Sequence, residues 1–362
     1  MKRLKDIDNK IFQLRKKISL ILLGPVNLQA EKEKFFKNLG YNPQFIYPEN
    51  DIDFRECYDT INSFKFDEGV MDDIFKAKAK GLKRLFHLYQ NIGKKDFVKS
   101  SIIFYGRPDK FLLKKAKKIA LSYKPRICHP KQVQHSEDGA KILRKVLKRL
   151  GFNWIVKTEH MVANAFVNPL HKTLSIKRDA MFTHTQIMSF VAHEIYGHVL
   201  RSECGASQPY KIFYSGLPRY ESTEEGLALY NELLVGTLDK RRMKGYAVRV
   251  IAIDKALKSS FYETYRSLCR YYSKEKAFAV SVRVKRGLKD TSRPGAFTKD
   301  LLYLKGFLEI KEFVKDGGKI EDLYIGKIAV QHIKQLKKMD GIKDTSKILK
   351  KVYKGNRYSV VF

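Results

Sequence analysis

The sequence predicts an α+β fold dominated by helices, with a small sheet packed beside one chemistry-bearing helix. Three observations predict it. Amphipathic patterns of helical period run through most of the chain. Two short runs near its middle carry the β-type alternation of period two. From about residue 239 onward the pattern is again almost wholly helical.

Taken in order, residues 6–20 and 28–39 read as short amphipathic helices, the first with a basic face and the second mixed in Glu and Lys. Residues 51–64 begin acidic and loop-like, and 69–92 form a helix with Val70, Ile74, Leu82, Leu85 and Leu88 as its apolar positions. The run Ser101–Tyr105 (SIIFY) reads as a strand closed by Gly106 and Pro108. Residues 137–150 give a basic amphipathic helix with Ile142, Val146 and Leu150 on one face and Gly151 as its C-cap. Its lysines and arginines read first as a solvated face.

Strands are expected at 153–157 and 172–177. In the second, Thr173, Ser175 and Lys177 alternate with Leu174 and Ile176. A long helix follows from about Thr185 to Arg201, then a loop with Gly205, Pro209, Gly216 and Pro218, then a helix opening near Ser222. Breaks at 287–295, Gly317-Gly318 and Gly341 divide the later helices, and no internal repeat or long linker is visible. The expected organisation is a mainly helical part at 1–100, a core at 101–240 with the small sheet, and a helical part at 241–362 that completes one catalytic unit.

Composition narrows the function. With 362 residues, 44% hydrophobic and 12% aromatic, the chain is too apolar to be disordered and long enough to bury a core. Lys plus Arg is 72 against 38 Asp plus Glu, a formal net charge of +34, which points to an anionic partner. The excess is uneven: +6 over 1–100, +11 over 101–150, +3 over 151–250 and +14 over 251–362. The balanced block also contains five of the nine histidines (His160, His171, His184, His193 and His198), so the chemistry is sought there. Cys57, Cys128, Cys204 and Cys269 form no C-x-x-C pair. That argues against a zinc ribbon or a disulfide framework and for a reducing, cytoplasmic setting. No apolar run reaches the ~18 residues of a membrane span. Ile18–Val26 imitates the core of a signal peptide but is too short, and Asp6 and Asp8 precede it.

The informative segment is His193-Glu194-Ile195-Tyr196-Gly197-His198, an H-E-x-x-x-H. The familiar zinc motif spaces its histidines four apart, on one helix face. Five apart on an ideal α-helix is ~500°, leaving the imidazoles ~140° apart around the axis, too far to share an ion. The spacing therefore requires a π-bulge or a distorted turn, and Gly197 makes distortion cheaper. Given that, neutral His193 and His198 bind one zinc ion, a third residue completes the site, and a water of lowered pKa fills the fourth position. Glu194 is placed to accept the water's proton. Two ordinary helix histidines are the plainer alternative.

The third ligand is expected downstream, in Glu221-Ser222-Thr223-Glu224-Glu225-Gly226-Leu227-Ala228. Glu225 is the preferred residue and Glu224 the fallback. Spacing alone allows another role, because Ser222-x-x-Glu225 also fits a helix capping box.

At this point the sequence resembles the microtubule-associated tyrosine carboxypeptidase family, a group of zinc metallopeptidases that includes bacterial proteins labelled by a QEGLA motif. Three blocks carry the likeness: HEIYGH after Phe190-Val191-Ala192; Thr223-Glu224-Glu225-Gly226-Leu227-Ala228; and Arg283-Val284-Lys285-Arg286-Gly287 with Asp290-Thr291-Ser292, Pro294-Gly295, Phe297, Lys299-Asp300 and Tyr303-Leu304. The early GPVNLQAEKEKFF stretch is similar as well, and the likeness runs from about residue 18 to about residue 340. It implies a zincin-like metallopeptidase fold with His193, His198 and Glu225 as zinc ligands and Glu194 as the catalytic residue. It favours Glu225 over Glu224, because relatives with Gln at the latter position lack a charged ligand there. Animal members remove a C-terminal tyrosine from tubulin, whose tail is acidic.

A carboxypeptidase must recognise a terminal carboxylate, which the planar guanidinium binds through two hydrogen bonds. Arg283 and Arg286 are the leading candidates, with Lys285 and Arg293 behind them. An oxyanion donor is also needed. Tyr303 is the candidate, with His184 and Tyr196 as alternatives. The expected partner is an acidic protein or peptide tail ending in a tyrosine-like residue, with nucleic acid second. Two rivals stand beside this reading: a dipeptidyl-peptidase-type H-E-x-x-x-H enzyme reading the N-terminal amine, and a basic nucleic-acid or anionic-surface binder with a structural zinc.

Overall fold

The computed structural model describes residues 2–122, 133–161, 163–354 and 357–358. Helices dominate, with a small mixed sheet, as the sequence predicts. The chain divides into two compact units. The first comprises Met1–Phe12, Pro125–Asp239 and Lys305–Phe362, and the second Gln13–Lys124 and Lys240–Leu304.

In the first unit, three strands lie in the order Ile155–Glu159, Thr173–Lys177, Ala165–Asn168. The outer pairings are parallel on one side (Val156 opposite Leu174) and antiparallel on the other (Val167 opposite Leu174). Leu174 and Ile176 are fully buried, as their alternation predicts, and Ser175 on the opposite face is buried too. The helix Ser136–Leu150 packs on this sheet through its apolar face, which includes Leu143, Val146 and Leu147. Gly151 closes it in a left-handed conformation at φ 71°. The strand Ala165–Asn168 neighbours the π-helical segment that carries the H-E-x-x-x-H.

The second unit is helical. Phe35, Phe261, Tyr265 and Phe278 meet with ring centroids 4.8 to 5.3 Å apart, and such contacts add roughly 0.5–1.5 kcal/mol per pair beyond area burial.

One sequence expectation changes here. Ser101–Tyr105 is the end of a helix, Phe97–Tyr105, not a strand. The run looks β-like because four of its five residues are branched or aromatic. The packing decides otherwise: Phe97 and Tyr105 both lie against Phe297, and Ser101 is hydrogen-bonded to Thr298 in the interior. The acidic start at residue 51 is loop, as expected, and ends at Asp53, which caps the helix Phe54–Asn62 by accepting from the Glu56 amide. Cys57 and Cys204 are buried and Cys269 is exposed, all as thiols, while Cys128 lies outside the described residues. Among the described residues no helix is long and apolar enough to cross a membrane.

Candidate metal centre

The helix that begins at His184 opens on a capping box, with Thr183 and Gln186 exchanging side-chain and backbone hydrogen bonds. It is α-helical to Phe190, π-helical over Val191–Val199, and α-helical again over Leu200–Ala206. In the π-helical stretch the Leu200 amide bonds to the Ile195 carbonyl, five residues back. A five-residue register brings residues five apart onto one face. His193 and His198, spaced by five, therefore converge, with ring centroids 5.1 Å apart and planes at 78°.

The third group comes from the helix Glu221–Leu234. The Glu225 carboxylate lies 3.8 Å from Nε2 of His193 and 4.0 Å from Nε2 of His198. One ligand atom from each of the three lies within 4.8 Å of the other two, and no other set of three does so among the described residues. Zinc–ligand bonds of 2.0–2.2 Å in a tetrahedron imply edges of about 3.4 Å, so the two edges to Glu225 would close by about half an ångström around an ion. The donor set, two imidazole nitrogens and a carboxylate, suits zinc.

Both imidazoles are held from behind by carboxylates. Nδ1 of His193 lies 2.7 Å from Glu232, which also accepts from Ser189. Nδ1 of His198 lies 2.9 Å from Glu224. An ionised carboxylate only accepts, so each Nδ1 donates its proton, which leaves Nε2, on the Glu225 side, as the ligand nitrogen when the ring is neutral. Burial alone would lower His193. The Glu232 hydrogen bond and the charges of Glu194, Glu232 and Glu225 outweigh it and raise His193 to about 9, so the surroundings favour a cation. Burial would raise Glu224, but Lys327, Arg201 and His198 hold its carboxyl far below the usual carboxylate range. Arg201 is fully buried and donates to Glu224 at 2.6 Å, and Lys327 bonds to the same carboxylate.

The segment TEEGLA thus divides its work. Glu224 orients His198 and Glu225 faces both imidazoles. Gly226 and Ala228 allow close packing. A Cβ on Gly226 would stand 2.2 Å from the Gly306 carbonyl carbon, and one on Gly197 would stand 2.8 Å from the Ala228 Cβ. Close approach of the two helices, more than cheap distortion, is why residue 197 lacks a side chain. The capping box considered for Ser222 and Glu225 does not form. The helix begins one residue earlier, at Glu221, and the Ser222 hydroxyl donates to Glu309 instead.

Glu194 lies in the same π-helical segment, is buried, and contributes its charge to His193. His184 and Tyr196 line a pocket of about 260 Å³ with Met188, Ala192 and Thr237, which contains none of the three candidate ligands.

The remaining candidates belong to the second unit. There Asp300, 2% exposed, gathers three guanidiniums: Arg283 through both Nε and an NH2 at 3.1 Å, Arg286 at 3.8 Å and Arg249 at 3.9 Å. Burial would raise Asp300, but Arg283, Arg249 and Arg286 hold it well below the usual carboxylate range. Tyr303 joins this cluster, stacked on Tyr246 at 5.2 Å with the Arg249 guanidinium over both rings. Lys285 does not join it. Its side chain is fully buried, and its ammonium donates to the carbonyls of Ala256, Ser259 and Arg293, so it braces the 287–295 segment and is no carboxylate binder. Arg293 is 81% exposed and pairs with Asp290.

Sequence reasoning missed Glu232, Arg201, Lys327 and Arg249. Only Glu232 left a signal: it follows Glu225 by seven residues, two helical turns on one face. Lys327 and Arg249 come from segments far away in sequence, and Arg201, three residues after His198, pairs with a carboxylate on another helix.

A family model described as microtubule-associated tyrosine carboxypeptidase matches residues 33–355. Microtubule-associated tyrosine carboxypeptidase 1 of Mus musculus is 25% identical over 338 residues, covering 91% of this chain and 64% of its own length. The Homo sapiens protein of that name is 26% identical over 298 residues, covering 80% and 55%. The chain thus spans less than two thirds of the length of these relatives.

Proposed function

The chain belongs to the microtubule-associated tyrosine carboxypeptidase family, and from that premise we propose that it is a zinc-dependent carboxypeptidase of zincin-like fold. In this reading it removes a C-terminal tyrosine-like residue from an acidic protein or peptide tail, in a reducing, cytoplasmic setting. What carries the reading is the convergence of His193 and His198, on a helix with a five-residue register, with Glu225 of a second helix, each imidazole backed by a carboxylate.

His193, His198 and Glu225 would hold one zinc ion, which supplies polarisation of the scissile carbonyl and acidification of water. Glu194 takes the proton of the attacking water and passes it to the leaving amine. Glu232 and Glu224 keep both imidazoles in the tautomer whose Nε2 is the ligand. Arg283 and Arg286 are assigned the terminal carboxylate. Asp300 fixes their forks, and with Arg249 the cluster carries three positive charges against one negative. Tyr303 remains the proposed oxyanion donor.

The test is zinc analysis of the purified protein together with cleavage of a peptide ending in tyrosine. The reading predicts bound zinc and release of free tyrosine, lowered by about 10²–10⁴ in Glu194→Gln. Absence of zinc, or equal turnover by the variant, contradicts it. A C-terminal amide in place of the free acid should be a poor substrate, and equal turnover removes the arginine assignment. An N-acetylated peptide should be cleaved as well as the free amine, which separates this reading from a dipeptidyl-peptidase.

A further inference from the structure

The five-residue register has a structural consequence. In an ordinary α-helix the Leu200 amide would bond to the Tyr196 carbonyl, and here it goes to Ile195. The Tyr196 carbonyl receives a donor from outside the helix: the hydroxyl of Tyr324, at 3.0 Å. Tyr324 is fully buried. Its hydroxyl oxygen accepts from Nδ2 of Asn231, also at 3.0 Å, and of the two acceptors for its single proton the Tyr196 carbonyl at 3.0 Å is nearer than Oδ1 of Asn231 at 3.4 Å. Asn231 is fully buried on Glu221–Leu234, the helix that carries Glu225.

The segment that carries Tyr324 is itself fixed to the same helix just past the bulge. Arg201 donates to the carbonyls of Leu323, Gly326 and Ile328. One short segment thus grips the helix on both sides of the return from π to α geometry, at Tyr196 and at Arg201. Tyr196 lies between the two histidines.

We propose that Tyr324, aligned by Asn231, is a positioning residue that holds the five-residue register and so keeps His198 on the face it shares with His193. This rests on the metal reading above. Its mechanism, however, is a backbone hydrogen bond that can be observed without metal.

The experiment uses the full chain and Tyr324→Phe, which removes one oxygen and leaves the ring. Three quantities are measured: zinc affinity by competition with a chromophoric chelator, hydrogen exchange across residues 195–201 without metal, and the melting temperature without metal. The proposal expects zinc affinity to fall 10–100-fold, the range for groups that orient a ligand. Exchange should accelerate locally while the melting temperature shifts only a few degrees. Unchanged zinc affinity with unchanged local exchange overturns it. So does a uniform loss of stability with affinity intact, which marks Tyr324 as ordinary packing. If Tyr324→Phe does not fold, Asn231→Ala, which leaves the hydroxyl free to rotate, should weaken zinc about 10-fold, the lower end of that range, and no weakening overturns the proposal. If the wild-type protein binds no zinc, the metal reading falls, and local exchange alone decides whether Tyr324 fixes the register.

Discussion

The Glu232 carboxylate lies 2.7 Å from Nδ1 of His193, and neither oxygen of that carboxylate meets solvent. Glu225 sits seven residues earlier on the same helix and faces Nε2 of the same ring. One helix therefore addresses both nitrogens of one imidazole, from opposite sides.

Glu232 should accordingly govern metal affinity without touching the metal. Glu232→Gln keeps the shape and loses the charge, and it should weaken zinc about 10-fold. Glu232→Ala should approach 100-fold. Chelator competition measures both, and wild-type affinity in both variants would remove the orienting role.

Gly226 should tolerate no side chain. Its Cβ would meet backbone of Gly306 at 2.2 Å, and backbone cannot rotate aside. Gly226→Ala is expected to cost roughly 3 kcal/mol, the upper part of the overpacking range. The denaturation midpoint reads this, and a variant as stable as wild type would show that the two helices can part at no cost.

Asp300 gives a pH dependence with a definite sign. Its folded pKa lies below the unfolded value of 3.8, so the folded chain keeps it ionised where the unfolded chain takes up a proton. The stability it contributes is complete well above 3.8 and is lost as the pH falls below that value. Asp300→Asn leaves three arginines without their shared carboxylate and should be less stable at pH 7 by about 3–5 kcal/mol. The gap from wild type should narrow by pH 3. A gap of constant size between those pH values would contradict the ion-pair account.

Much of the candidate site's geometry was legible because it is local. His193, Glu194 and His198 lie within six residues, and their spacing alone demanded a bulge, which the π-helical register supplies. The capping-box alternative for Glu225 could not be settled from Ser222-x-x-Glu225, because Ser222 turns to Glu309, 87 residues away. Lys285 was misjudged for a related reason. Its charge suggested a ligand, while burial against three carbonyls makes it a brace. In the fold, Leu174 and Ile176 announced their strand by alternation. Phe97–Tyr105 concealed its helix because the deciding partner, Phe297, lies some 200 residues on. Long-range packing, not local propensity, accounts for both kinds of miss.

The central claim is that His193, His198 and Glu225 make this chain a metal-dependent carboxypeptidase. Its most direct test is the release of free tyrosine from an acidic peptide ending in that residue, followed as metal is stripped by a chelator and zinc is returned. The account predicts that release stops on stripping and recovers with one equivalent of zinc. Release that continues unchanged in the stripped protein, or none from the zinc-loaded protein, would contradict it.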